Sequence, residues 1–287
     1  MNDGSKYTLH NMVRFGFQLA RGTIAAAERW CYRNGLLERD ALHFPDFLCI
    51  GAQKAGTTWL YKNLRHHPGI QLTQPKELHY FDRYFHESLD SYSRHFEQED
   101  FAVREKVTGE ITPAYCFIPV RRIQFIHDMR PDLRLIFLMR NPVERAWSHA
   151  VMNLVEHSDR RFEDIPDEDF FAHYRSEGAV ERGDYLATLD NWLSVYPRKQ
   201  LYIGFLEDLA QRPQQLLTDV FEHIGVTTEV DWASFPYNRK IRTAEKPAMP
   251  QAHRRFLQAM YREDIQQLAE RFAGPPQQWL DDLPPPS

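Results

Sequence analysis

The chain has 287 residues, 43% hydrophobic and 26% charged, enough to bury one large core and too few for a second domain of comparable size. A formal net charge of -5 excludes a protein built to coat nucleic acid and leaves a local basic pocket open, so partners are read as small or local. Cys31, Cys49 and Cys116 form no disulfide framework or metal-ligand pattern, and with neither a long apolar span nor a secretory leader pattern the expectation is a reduced, cytoplasmic protein without a transmembrane segment.

Residues 1–44 read as an amphipathic helical segment, in which Met12, Val13, Phe15, Phe17, Leu19 and Ile24 are interrupted by Arg14, Arg21, Glu28 and Arg29. It is expected to pack on the domain or on a dimer mate. From Pro45 short apolar runs alternate with helical stretches, the pattern of βαβ units around a parallel sheet. The expected strands are Phe47–Ile50, Ile70–Leu72, Val107–Gly109, Arg134–Met139 and Leu201–Phe205. The expected helices are Thr58–His66, Glu144–Val155, Tyr185–Val195, Pro213–Ile224 and Gln251–Phe272. Residues 45–280 are read as one domain, and 281–287, with its prolines, as a loose tail. The fold class is α/β, a P-loop-like three-layer arrangement with a central, mostly parallel sheet flanked by helices.

The first strand runs into Gly51-Ala52-Gln53-Lys54-Ala55-Gly56-Thr57-Thr58-Trp59 and then a helix, an order that aims backbone N–H groups at an anion. Gly51 and Gly56 keep the spacing of a Walker A loop. Thr57 stands where that loop's lysine belongs, and the lysine, Lys54, lies inside the turn. This argues against a P-loop kinase or NTPase, the alternative of a different class.

Arg140 closes the strand Arg134–Met139, and Asn141-Pro142-Val143-Glu144 reads as an N-cap, a first-turn proline and a capping-box acid. Ser148 then falls on the helix. Ligands of open α/β sheets gather at the carboxyl ends of the strands, so Arg140 is expected to share a cleft with Lys54. After the second strand, Glu77, His79 and Asp82 follow in Pro75-Lys76-Glu77-Leu78-His79-Tyr80-Phe81-Asp82. In an extended segment Glu77 and His79 point to one side, and either could take a proton from an acceptor.

These motifs, in this order over roughly Pro45 to Trp279, resemble those of sulfotransferases that use 3'-phosphoadenosine 5'-phosphosulfate (PAPS) and release 3'-phosphoadenosine 5'-phosphate (PAP). The nearer likeness is to the heparan sulfate and bacterial carbohydrate branch. The resemblance implies that Lys54, Ala55, Gly56, Thr57 and Thr58 hold the phosphosulfate and that Arg140 and Ser148 hold the 3'-phosphate. It further implies that Trp59 and Tyr185 bracket adenine, that Arg239, Lys240 and Arg242 are candidates for a lid, and that Lys54 and Glu77 are catalytic, with His79 orienting the acceptor or Glu77. Asp82 would support the loop. The reaction needs no metal. The acceptor is left open among small molecules, lipids and carbohydrates, and a homodimer is compatible with the sequence. In Gly109-Glu110-Ile111-Thr112-Pro113-Ala114-Tyr115, Ile111 replaces a lysine common in the glycan-modifying branch.

Overall fold

A computed structural model of the chain describes residues 22–36, 42–97, 106–158, 160–238 and 247–285. Its centre is a five-stranded sheet of order β2-β3-β1-β4-β5, built from β1 (Phe47–Gly51), β2 (Ile70–Leu72), β3 (Val107–Ile111), β4 (Arg134–Met139) and β5 (Leu201–Phe205). All four pairings are parallel. Every residue of β1 is buried, as a central strand covered on both faces must be, which is why it reads as an unbroken apolar run rather than an alternation.

The helices are α1 (22–33), α2 (Thr57–Leu64), α3 (Leu89–Ser93), α4 (Val120–Met129), α5 (Pro142–Val151), α6 (Asp167–Arg175), α7 (Glu177–Glu181), α8 (Tyr185–Leu193), α9 (Leu206–Gln211), α10 (Pro213–Ile224), α11 (Gln251–Met260), α12 (Arg262–Arg271) and α13 (Pro275–Asp281). Chain order along the sheet reverses at β1, with β3 and β2 on one side and β4 and β5 on the other. A cleft opens at such a reversal, at the carboxyl ends of the strands.

Three expectations are modified. The single helix expected over Gln251–Phe272 breaks at Tyr261, whose φ of -100° and ψ of 8° leave the helical region while its ring is buried. The helix expected over Glu144–Val155 is α5 continued by a π-helical turn, Met152–Glu156. On α1, Ile24 belongs to the outer face and is 67% exposed. The inward face instead uses Ala25 and Tyr32 together with two charged side chains, since Glu28 accepts the Leu89 N–H at 2.8 Å and the Arg29 guanidinium sits 4.1 Å above the Phe85 ring. Met12 to Leu19 lie outside the described residues. At the other end Leu283 packs on the core, and the Asp282 carbonyl accepts from Gln258 at 3.1 Å. Among the described residues no helix is long and apolar enough to cross a membrane.

Gly109 shows how tightly the layers meet. A Cβ there would lie 2.1 Å from the Phe47 ring on the neighbouring strand, so the aromatic fills the space a side chain would need. Gly109→Ala is therefore expected to cost about 1–3 kcal/mol by overpacking, read as a lowered midpoint in thermal or urea unfolding. An unchanged midpoint would mean that Phe47 can move aside.

Candidate functional site

On the donor side, β1 ends at Gly51 and α2 begins at Thr57 with Gly56 as N-cap in the left-handed region, φ 98°. A Cβ on Gly56 would also meet Leu209 at 2.8 Å. No side chain caps this helix start and no acid lies in its first turn, so the N–H groups of Thr57 and Thr58 and the positive end of the helix dipole suit an anion. Arg140, immediately after β4, donates to the Lys54 carbonyl at 3.3 Å, joining the two sequence motifs in one cleft. Its guanidinium also lies 3.7 Å from Glu144. The acid expected to fold back as a capping box pairs instead with Arg140 and, at 2.9 Å, with Arg254, while Asn141 caps α5 by accepting from the Val143 N–H at 3.0 Å. Ser148 is buried two turns further along α5, and the Lys54 ammonium lies 3.9 Å from Glu156 on the π-helical turn.

Trp59 and Tyr185 are both buried. Tyr185 donates to the Arg140 carbonyl at 3.0 Å and so sits at the base of the same cleft. The Trp59 indole donates to the Tyr237 carbonyl at 3.1 Å, and the Trp147 indole, beside Ser148, donates to the Pro247 carbonyl at 3.2 Å. The chain on either side of residues 239–246 is thus anchored next to the phosphate loop and next to α5. Arg239, Lys240 and Arg242 lie outside the described residues.

On the acceptor side, the Glu77–His79 pair forms, though not by strand alternation. Both residues are left-handed, with φ of 68° and 56°, and the kinked segment brings His79 Nε2 to 3.3 Å from the Glu77 carboxylate. His79 Nδ1 donates to both oxygens of Asp82, at 2.9 and 3.1 Å. Lys76 donates to Glu77 at 2.6 Å. Among the described residues Lys54, Glu77 and His79 are the three non-glycine positions with positive φ. Such a backbone costs about 1–3 kcal/mol each unless its surroundings enforce it, and that cost concentrates at functional sites.

The charges follow from these contacts. Asp82 and then Glu77 hold the His79 imidazolium against its burial, raising its pKa to about 9. Burial pushes the Glu77 carboxyl upward, but the hydrogen bond from His79 and the charge and hydrogen bond of Lys76 outweigh it and bring it to about 2. Near neutrality His79 carries its proton and Glu77 is ionised. Cys49, next to the end of β1, has its thiol pushed up to about 12 by burial and also feels Lys76 and Glu77 through space. The acceptor pair therefore sits beside the strand that launches the phosphate loop.

Several residues that hold this loop were not singled out from the sequence. Glu110, fully buried in β3, accepts from Tyr92 at 2.7 Å, Thr112 at 2.7 Å and Tyr115 at 2.6 Å. The Tyr115 oxygen in turn accepts the Phe81 N–H at 3.4 Å. Arg122 of α4 donates to the carbonyls of Phe81 at 2.6 Å and Asp82 at 3.1 Å. Lys76 lay in plain view beside Glu77, but only the fold points its ammonium at the carboxylate. Ile111 is buried in β3. Among the described residues no group of three or more His, Cys, Asp and Glu is placed to hold a metal.

The fold is α/β with a P-loop-like turn between β1 and α2, and a separate Glu77–His79–Asp82 cluster follows β2. Residues 44–263 match the family described as a sulfotransferase domain, and the chain belongs to that family. A mouse (Mus musculus) protein, heparan sulfate glucosamine 3-O-sulfotransferase 6, is 30% identical over 202 residues, covering 68% of this chain and 56% of that protein. The membrane-associated sulfotransferase kil1 of Dictyostelium discoideum is 37% identical over 112 residues, 39% of this chain and 24% of that one. The chain thus spans only part of the length of these relatives. The solved sulfotransferase of Alicyclobacillus acidocaldarius superposes with a TM-score of 0.64 at 26% identity, covering 83% of this chain and 99% of that one. Membership of this family does not favour the kinase alternative.

The raised His79 pKa has a definite consequence for stability. Because the folded value, about 9, lies above the ordinary value of about 6.5 for a free histidine, its contribution is fully present below pH 6.5 and is lost as pH rises through 9. Asp82→Asn should bring the His79 titration, followed by imidazole NMR, back toward the ordinary value. The stability gap between wild type and variant should be widest near pH 6 and close above pH 9. A gap independent of pH would show that Asp82 acts on something other than His79.

Proposed function

We propose that the chain transfers a sulfuryl group from PAPS to a hydroxyl or amine of a carbohydrate acceptor and releases PAP. The observation that carries this reading is a lysine inside a glycine-bounded loop, joined to Arg140 at the carboxyl ends of β1 and β4, together with an ionised carboxylate fixed by a protonated histidine in the segment after β2. Family membership supports PAPS as donor, and the heparan sulfate relatives support a sugar as acceptor. Heparan specificity itself is not carried over, since Ile111 stands where a lysine is common in the glycan-modifying branch.

Each residue then has a chemical task. The open N-terminus of α2, with Thr57 and Thr58 and the loop residues Ala55 and Gly56, receives the phosphosulfate. Arg140 and Ser148 receive the 3'-phosphate, and Trp59 and Tyr185 flank the adenine. Arg239, Lys240 and Arg242, between the two tryptophan-anchored ends, are the candidates to cover the 3'-phosphate. PAPS when bound supplies the sulfuryl group and the leaving phosphate. Lys54 meets the charge that builds on the oxygen between phosphorus and sulfur as that bond breaks, an interaction stronger in the transition state than in the ground state. Glu77 takes the proton from the acceptor oxygen or nitrogen as its bond to sulfur forms.

Between the two candidate bases the geometry favours Glu77. His79 lies between two carboxylates and keeps its proton at neutral pH, so it cannot accept another. It orients Glu77 and bears positive charge beside the incoming sulfuryl oxygens. Glu77 with both Lys76 and His79 attached is a weak base, and basicity returns when the Lys76 ammonium turns from the carboxylate toward the anionic donor.

Calorimetric titration of PAP with EDTA present is expected to show micromolar binding, lost in Arg140→Ala. Binding of ATP only after Mg²⁺ is added, with none of PAP, would replace this reading with the kinase one. Lys54→Ala and Glu77→Ala should each slow turnover by about 10²-fold or more, while Glu77→Ala keeps near-normal PAP affinity. Full activity of Glu77→Ala would move the base role to another group.

A further inference from the structure

Glu144 shares its carboxylate between two arginines. One oxygen lies 3.7 Å from the Arg140 guanidinium, and the other pairs with Arg254 of α11 at 2.9 Å. The tighter contact is thus the one to a residue distant in sequence. An acid in this place is a liability for a site that takes an anion, because a carboxylate free to swing onto Arg140 competes with a phosphate for the same guanidinium and repels that phosphate. The other titratable groups that act on Arg140 through space are Tyr185, Glu207 and Arg145. Each is held elsewhere: Tyr185 donates to the Arg140 carbonyl at 3.0 Å, Glu207 accepts the Trp279 indole N–H at 2.7 Å, and Arg145, fully buried on α5, donates to the Ala179 carbonyl at 3.1 Å.

The helix that carries Arg254 is pinned beside α5 by buried contacts. His253 is fully buried, with Nδ1 2.8 Å from the Tyr174 hydroxyl and Nε2 2.9 Å from Asp167, both of α6. Its ring stacks on Phe171 with centroids 4.9 Å apart, and Trp147 of α5 meets it edge-on at 5.5 Å. The Trp147 indole also donates to the Pro247 carbonyl, just ahead of α11. The Arg254 N–H donates to the Pro250 carbonyl at 3.0 Å, which places Arg254 in the first turn of the helix. Each residue turns the helix by about 100°, so Arg254 leaves the buried face that His253 occupies and meets Glu144 at its edge.

We propose that Arg254 is a positioning residue of the donor site, which holds the Glu144 carboxylate off Arg140 and cancels its charge so that the Arg140 guanidinium stays available to the 3'-phosphate. This rests on the PAPS reading and adds to it a residue that acts through Glu144 rather than by touching the nucleotide. The side chains of Arg254 and Glu144 are 38% and 34% exposed, so the pair works on the scale of a partly solvated ion pair. Its effect falls on one ligand group, the 3'-phosphate, and not on the 5' end of the nucleotide.

The test is a double-substitution cycle on the full chain, read by calorimetric titration of PAP and of 5'-AMP, which lacks the 3'-phosphate. Arg254→Gln should weaken PAP binding by about fivefold and leave 5'-AMP binding unchanged. Arg254→Lys, which keeps the charge, should recover most of that loss. With Glu144→Gln already in place, Arg254→Gln should have no further effect on PAP, because the carboxylate it restrains has lost its charge. Equal losses with and without Glu144→Gln would make Arg254 a direct ligand of the nucleotide and overturn the positioning role, as would an unchanged PAP affinity in Arg254→Gln. A parallel loss of 5'-AMP binding would assign Arg254 to the general build of the cleft and likewise overturn it. Failure of the wild-type chain to bind PAP at all would instead remove the donor reading on which the role stands.

Discussion

Glu110 is a carboxylate placed where water cannot reach it, and burial drives its pKa upward against three hydrogen bonds that oppose the shift. Tyr115, Thr112 and Tyr92 supply those bonds, and each ties Glu110 to a different piece of the acceptor side. Tyr115 receives the Phe81 N–H, Thr112 lies in the exit from β3, and Tyr92 stacks on Tyr80 with ring centroids 4.5 Å apart. A buried acceptor left short of donors costs about 1–3 kcal/mol per lost partner, so the three hydroxyls cannot drift independently. The left-handed turns at Glu77 and His79 persist because the segment after them is gripped from the sheet by Glu110 through Tyr115 and from α4 by Arg122.

The two halves of the cleft solve opposite electrostatic problems. In the proposed reaction the donor half has to attract an anionic nucleotide, for which it offers an uncapped helix start, Lys54 and Arg140, tempered by Glu144 and Glu156. The proposed acceptor half has to keep a carboxylate ionised. It does so by placing a positive charge on each side of Glu77, with Lys76 at 2.6 Å and His79 at 3.3 Å, and by fixing the second of these with Asp82. The parallel sheet lets the halves meet, since β1 and β4 deliver one set of residues and the segment between β2 and β3 delivers the other to the same edge.

The N-terminal helix belongs to this arrangement. Glu28 caps the start of α3 through the Leu89 N–H, Arg29 covers Phe85, and Arg33 pairs with Asp128 of α4 at 2.6 Å. Phe85 lies between Arg29 and Arg122, at 4.1 and 4.8 Å from its ring. The charged positions of α1 thus brace the acceptor loop, which is why its inward stripe is not the apolar one that hydrophobic periodicity selects.

The central strands were legible because a buried parallel strand must be apolar along its covered length, and Phe47–Ile50 and Leu135–Met139 are. Lys54, Arg140 and Ser148 were legible because a strand end, a glycine turn and a capped helix fix where a side chain emerges before any tertiary contact is made. Local chemistry also pointed to Glu77, His79 and Asp82, but their mutual geometry was decided by the fold, since an extended segment would have paired Glu77 with His79 without kinking at either. Lys76, Glu110, Arg122 and Arg145 were not legible as site residues, for a common reason. Each acts through a partner distant in sequence or through a backbone turn that sequence does not display, and whether a charged residue faces solvent, a carboxylate or the buried interior depends on how separate elements pack. Sequence alone determined the sheet, the glycine-bounded loop and which polar residues stand at the strand ends, because those depend on local backbone preference and side-chain chemistry; the charge state of Glu77 and His79, and the burial of Arg145 without a carboxylate partner among the described residues, depend on desolvation and through-space distance, which only the tertiary structure sets.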